Sequence, residues 1–301
     1  MKDITAANDP HPDAAAILDA RLASILREIG IPPRPSILEQ IAREARREEP
    51  DFHHIASLIG RDVGIAAGLL KTANSPYFGY RQKAHTVQEA LIMLGLTVTA
   101  RTVAGLILRK VLPSGPHLER FWDTSDRIAQ LSGWLAQRHG AEAQRVRPED
   151  AHTFGLFRDC GIPIMMRKHE GYHATLAEAN RDAARAFTEV EEARHPTSHA
   201  MIGCLMAQSW WLPETIALAI RHHHDHVLFA AGAGGLPAAS RELIALAQLA
   251  EYLLQQLTGL CQTREWDKMG AACLGCLGLD ADGLAALLPQ ARAFLDTLEP
   301  L

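Results

Sequence analysis

Residues 219–226 read AIRHHHDH, which places four histidines and an aspartate within five positions. Imidazole nitrogen and carboxylate oxygen are the usual ligands of zinc, iron and manganese, and bound ions of this kind activate water for phosphoester hydrolysis. Two distant places could complete a set: Asp159 in GLFRDCG and His199 in HPTSHAMIG. With His223 and His224 they make a candidate site for a residual divalent ion. Adjacent helical residues point about 100° apart, so one of His223 and His224, not both, is expected to serve it. His222 and His226, one turn apart, could share a face. The plainer reading is that histidines at a helix C-terminus favour the negative end of the dipole and bond to free carbonyls.

The elements that must position these residues are helical. Ile17, Leu18, Leu22, Ile25, Leu26 and Ile29 fall on one face until Gly30, Pro32 and Pro33 stop the run. Ser36 is expected to cap a second helix, and Asp62 to cap VGIAAGLLKTA. NSPYFGY breaks that helix, and Thr86 with Glu89 forms a capping box before VQEALIMLG. PSGPH, residues 113–117, is rich in turn formers and marks a lobe boundary. Beyond it, helices are expected through FWDTSDRIAQLSGWLAQRHG, through EDAHTFGLFRDCG, from His173 to about Arg194, through SHAMIGCLMAQSWW, and from a first-turn Pro213 into the histidines. Two amphipathic stretches follow. No β-alternation is present. The expected fold is all-α in two helical lobes: a polar tail over residues 1–12, an N-terminal bundle over 13–114, and a helical lobe with a C-terminal extension over 115–301.

The 301 residues carry a net charge of −5, which argues against a generally basic nucleic-acid binder. Five cysteines, an odd number spread over a long chain, suit a reducing cytoplasm better than a disulfide framework. Cys273 and Cys276 form a CxxC with Cys261 upstream, but nothing completes a zinc set. The N-terminus lacks the apolar stretch of a signal peptide, and no uninterrupted apolar run approaches the length needed to span a bilayer, so membrane insertion is not expected.

The ordered motifs resemble the HDOD domain, the HD-related output domain of bacterial signalling proteins and a branch of the HD phosphohydrolase superfamily. IGRDVGIAAGLLKTANSPYFG is similar to the family's signature, with Asp62, Ala73, Asn74, Ser75, Phe78 and Gly79 matching. VQEALIMLGL, with Gly95, is similar to its next segment. Trp122 in FWDTS, Gly155 in GLFRDCG, Gly203 in HAMIG and Pro213 in WWLP follow in the same order. The resemblance covers about residues 30–228. It implies a regulatory module, often joined in such proteins to a receiver or a cyclic-dinucleotide domain.

Departures from the pattern bear on the chemistry. The first histidine ligand of a catalytic HD domain falls where this chain has Thr124, and the namesake His-Asp pair falls on Arg158-Asp159. Arginine is permanently charged and repels a divalent ion if it points inward. The resemblance therefore implies a degenerate site and a non-catalytic module acting through contacts with signalling proteins. No cofactor is expected beyond a residual iron, manganese or zinc ion. A small-molecule or nucleotide ligand is a further partner class. The alternative is a metal-dependent phosphohydrolase acting on a nucleotide or signalling phosphoester.

Overall fold

The computed structural model describes residues 14–75, 78, 80–113, 115–139, 146–230, 235–259 and 262–298. The expected tail over residues 1–12, Gly79 and Cys261 lie outside these. The described residues form sixteen helices and no strand, so the all-α expectation holds.

Five helices make the N-terminal part: α1 (Ala14–Ile29), α2 (Ser36–Glu44), α3 (Phe52–Gly60), α4 (Val63–Ala73) and α5 (Val87–Val111). Asp62 caps α4 by accepting the Ile65 N–H at 3.1 Å, and also pairs with Lys110 at 2.6 Å. The Thr86 hydroxyl accepts from Glu89 N–H at 3.1 Å, while the Glu89 carboxylate reaches back to the His85 N–H, one residue before the cap. Ser36 does not cap α2. Pro35 holds that position, and no side chain bonds there.

Helix α5 is interrupted at Gly95, whose φ of 73° and ψ of 168° belong to a region that is nearly exclusive to glycine. By length and composition α5 is apolar enough to cross a membrane, against the expectation that no such run exists. Its inward side holds Leu91, Val103, Ile107 and Leu108 in the core, and Arg101 within it pairs with Asp150 at 2.5 Å.

The second part holds α6 (Pro116–His139), α7 (Pro148–Phe157), α8 (Gly161–Lys168), α9 (Tyr172–Arg181), α10 (Phe187–Glu192), α11 (His199–Ser209), α12 (Glu214–His222), α13 (His226–Ala230), α14 (Ala238–Thr258), α15 (Glu265–Leu277) and α16 (Ala281–Asp296). The single helix expected from His173 to about Arg194 is two. Asp182 accepts the N–H groups of Ala184 at 2.8 Å and Arg185 at 2.9 Å, which turns the chain between α9 and α10. Pro213 stands at the N-cap of α12, one place before the first turn.

Helix α14 is buried almost continuously from Leu243 to Leu254 and packs against α6, α7, α12 and α15. Each such fully buried aliphatic side chain contributes about 1.5–3 kcal/mol relative to exposure. Helix gives way to a short connection between α5 and α6, yet one apolar core runs across it, from Ile31 to Leu295.

Candidate metal centre

Three turns and helix ends converge at one place. Asp159 lies in the turn from α7 to α8, His199 is the first residue of α11, His223 caps the C-terminus of α12, and His224 follows it. One ligand atom from each lies within 4.8 Å of the others. The three histidines are buried and Asp159 is half-buried. Asp159 Oδ1 is 3.2 Å from His223 Nε2 and 3.5 Å from His199 Nε2, and the two Nε2 atoms are 3.4 Å apart.

Glycines make this convergence fit. A Cβ on Gly161 would lie 2.1 Å from the His199 carbonyl oxygen, so only glycine lets the start of α8 meet the start of α11. Gly155 likewise lets α7 approach the Ala129 backbone of α6, and Gly203 faces Ile220 of α12.

Each imidazole is anchored through Nδ1. His223 Nδ1–H donates to the Ile220 carbonyl at 2.8 Å, His199 Nδ1 meets Glu191 Oε2 at 2.8 Å, and His224 Nδ1 meets Glu265 Oε2 at 2.7 Å. Such partners fix the tautomer and orientation of metal-ligating histidines. Glu191 also takes the His199 backbone N–H, and the Tyr172 hydroxyl donates to it. Lys268 pairs with Glu265. Phe187 stacks on the His224 ring at 4.6 Å and meets His199 edge-on at 5.2 Å, which forms an apolar wall.

The electrostatics demand positive charge at the centre. Burial opposes ionisation of Asp159, but Arg158 and the bonds from His199 and His223 hold its carboxyl well below the usual range. Burial also opposes charge on His199, yet Glu191 and Asp159 overcome it and hold its pKa at about 10. Burial, reinforced by His224, pushes His223 down to about 3 although Asp159 pulls the other way. A neutral His223 with its proton on Nδ1 turns a bare Nε2 toward Asp159, so a proton or a metal cation must lie between these lone pairs. Three imidazoles and a carboxylate fit a single zinc, iron or manganese ion.

Arg158 is the discordant member. Its buried guanidinium lies 3.0 Å from Asp159 Oδ2 and 2.8 Å from Glu251 Oε1 of α14. It thus fills the place next to Asp159 from the side opposite the histidines. Thr124 is half-buried on α6.

The chain matches the family model of the HDOD domain over residues 31–226. It belongs to the HDOD domain family. A relative from Treponema pallidum (strain Nichols), carried as an uncharacterized protein, is 26% identical over 196 residues; these are 65% of this HDOD chain but 38% of that protein, so the chain spans well under half of its relative. Among solved structures, an HDOD domain protein of unknown function from Geobacter sulfurreducens aligns with a TM-score of 0.57 at 20% identity, covering 94% of this chain and 100% of the other. A protein from Shewanella amazonensis SB2B, provisionally named a phosphohydrolase, aligns at 0.63 and 20% identity over 93% and 98%. One from Marinobacter aquaeolei VT8, provisionally named a signal transduction protein, aligns at 0.63 and 18% identity over 96% and 66%. These likenesses establish the HDOD helical fold.

The signature residues of this HDOD chain serve the fold locally. The Asn74 side chain brackets the Ala84 backbone, donating to its carbonyl and accepting from its N–H, both at 2.8 Å. Trp122 is buried, and Phe78 packs half-buried against the core. His222 and His226 do not share a helix face, because α12 ends at His222 and α13 begins at His226. That same ending brings the His223 and His224 rings, expected to diverge, to within 4.0 Å of each other.

Sequence reasoning missed Glu191, Glu251, Glu265 and Tyr172. Glu251 alone carried a local signal, as an acid inside the apolar run ALAQLAEYLLQQL. The other three lie in polar or mixed segments, and only the tertiary structure sets them against the histidines.

Proposed function

We propose that this HDOD protein is a signal-transduction module that acts through protein contacts and has lost hydrolytic turnover at its His/Asp site. The observation that carries this reading is the buried Arg158. One oxygen of Asp159 is committed to a permanent cation, and the remaining oxygen faces two histidines. A second divalent ion beside Asp159 would stand against the guanidinium with little solvent between them. The described residues offer one group of four metal donors and no second group, so paired-metal activation of water lacks ligands. The provisional name of the Marinobacter neighbour points the same way. Free thiols at Cys160, Cys204, Cys273 and Cys276 suit a reducing cytoplasm.

A second reading has its own support. The three Nδ1-anchored imidazoles are arranged as a single-ion site would need, and a bound ion would supply Lewis acidity toward a phosphoester. On that reading the protein is a metal-dependent phosphohydrolase, as the Shewanella neighbour is provisionally named.

Metal analysis of the purified chain, followed by assay against a panel of phosphoesters, separates the two. The expected result is no turnover above background, with or without added zinc, iron or manganese. Stoichiometric metal with turnover abolished by Asp159→Ala would sink the non-catalytic reading.

A further inference from the structure

A cavity of about 600 Å³ opens between α4 and α5 on one side and α6 and α7 on the other, with Thr297 and Leu298 closing it beyond α16. It is separate from the His/Asp centre in its lining, which includes none of Asp159, His199, His223 and His224. Its volume lies in the range of small-molecule sites. We propose that this cavity binds a phosphorylated small molecule of nucleotide size.

Charge is the first support. The chain carries a net −5, yet the cavity is lined by Lys71, Lys83, Arg101, Arg109 and Arg127 against only Asp126 and Glu149. Arg101 is held in place by Asp150 at 2.5 Å and Arg127 by Asp123 at 3.1 Å. Lys83 and Arg109 are exposed and form no ion pair among the described residues. Glu149 stands 4.0 Å from Arg101 and 3.8 Å from Arg147, which offsets its charge, and Asp126 accepts from Gln130 at 3.3 Å. With Asp150 and Asp123 counted beside the arginines they hold, a small excess of positive charge remains around the recess, and it favours anions.

The signature segment supplies the second support. LLKTANS is left without a role by the His/Asp centre, yet Lys71, Thr72, Asn74 and Ser75 all line this cavity. The two bonds from Asn74 to Ala84 brace the segment that carries Lys83 to its rim. The Thr72 hydroxyl donates to the Gly68 carbonyl at 2.9 Å, so the ammonium of Lys83 is the donor that this braced segment offers to phosphate oxygens. If the protein relays a signal, the cavity is where a soluble input would enter, but the binding itself stands apart from the fate of the His/Asp centre.

Isothermal titration calorimetry of the full chain tests this, with AMP, ADP, GMP, GDP and inorganic pyrophosphate as probes and adenosine and guanosine as uncharged controls. At least one phosphorylated probe is expected to bind one-to-one, more weakly as salt rises and more tightly than either nucleoside. Lys83→Gln and Arg109→Gln, both at exposed positions, are each expected to weaken it about tenfold, the scale of one charge-assisted hydrogen bond. Arg61→Gln, outside the cavity, is expected to leave it unchanged. Circular dichroism confirms that each variant is folded. Failure of every phosphorylated probe to bind overturns the proposal. So does binding indifferent to Lys83→Gln and Arg109→Gln, or binding lost in Asp159→Ala alone, which would place the anion at the histidines. None of these failures touches the metal and turnover assays.

Discussion

Arg158 carries a full charge at 4% exposure, and its neutralisation depends on Asp159 and Glu251. Burial raises the pKa of Glu251, and Arg158 is what opposes that rise. Arg158→Ala would leave Glu251 buried without its cation. Breaking a buried pair from one side costs about 3–5 kcal/mol, whereas replacing both partners with apolar groups is often neutral. Urea titration should therefore show Arg158→Ala strongly destabilised and Arg158→Met combined with Glu251→Leu close to the parent. A parent-like single variant would mean that the guanidinium is not holding the acids. Glu191 tests the other side of the centre. It orients His199 through Nδ1 and the backbone N–H. For zinc titrated into metal-free protein, Glu191→Gln is expected to weaken binding by about 10- to 100-fold, the usual effect of losing such an orienting group. Equal zinc affinity in the two proteins would show that Glu191 has no such role.

At the scale of elements, the centre exists because helices end where they do. Helix α12 stops at His222, His223 caps it with its backbone still right-handed α, and the His223 and His224 rings lie 4.0 Å apart. Helix α7 stops at Phe157, and Asp159 occupies the tight turn before α8. Gly161 then seats α8 against the backbone of His199. Gly161→Ala drives a methyl into a carbonyl that cannot rotate away, and overpacking of this kind costs about 1–3 kcal/mol. The expected result is a lower thermal midpoint together with weaker zinc binding, because His199 must shift. Loss of stability with zinc affinity intact would show that α8 moves and the histidine does not. The expected all-α elements were legible in period and caps: Asp62, Thr86 and Glu89 act at the helix starts assigned from sequence. The turn at Asp182 was not, because the polar residues around it fit a continuing helix until its carboxylate takes two backbone donors.

Across the whole molecule, α7 joins the centre to the phosphate cavity proposed between the two helical parts. His152 on α7 lines that cavity, and burial lowers its pKa although Asp126 opposes the shift. A histidine held neutral in the folded state protonates more readily when unfolded. Its contribution to stability is therefore complete above the ordinary histidine value of about 6.5 and is lost as pH falls below it. Urea midpoints measured from neutral pH downward should fall less steeply for His152→Gln than for the parent. Parallel curves would remove His152 from the acid response.

The sequence by itself determined the helical fold and the family. Periodicity, caps and ordered motifs are local properties that survive in a one-dimensional reading. It also offered Asp159, His199, His223 and His224 as candidate metal donors, through the ordered motifs in which they stand. Tertiary structure decided what surrounds them. Glu191, Glu251 and Glu265 come from three separate helices, and their burial beside histidines and an arginine has no signature in spacing. Long-range electrostatics in a dry interior depends on distance through space. Only the packed chain could show that one oxygen of Asp159 faces two imidazoles while the other is held by Arg158.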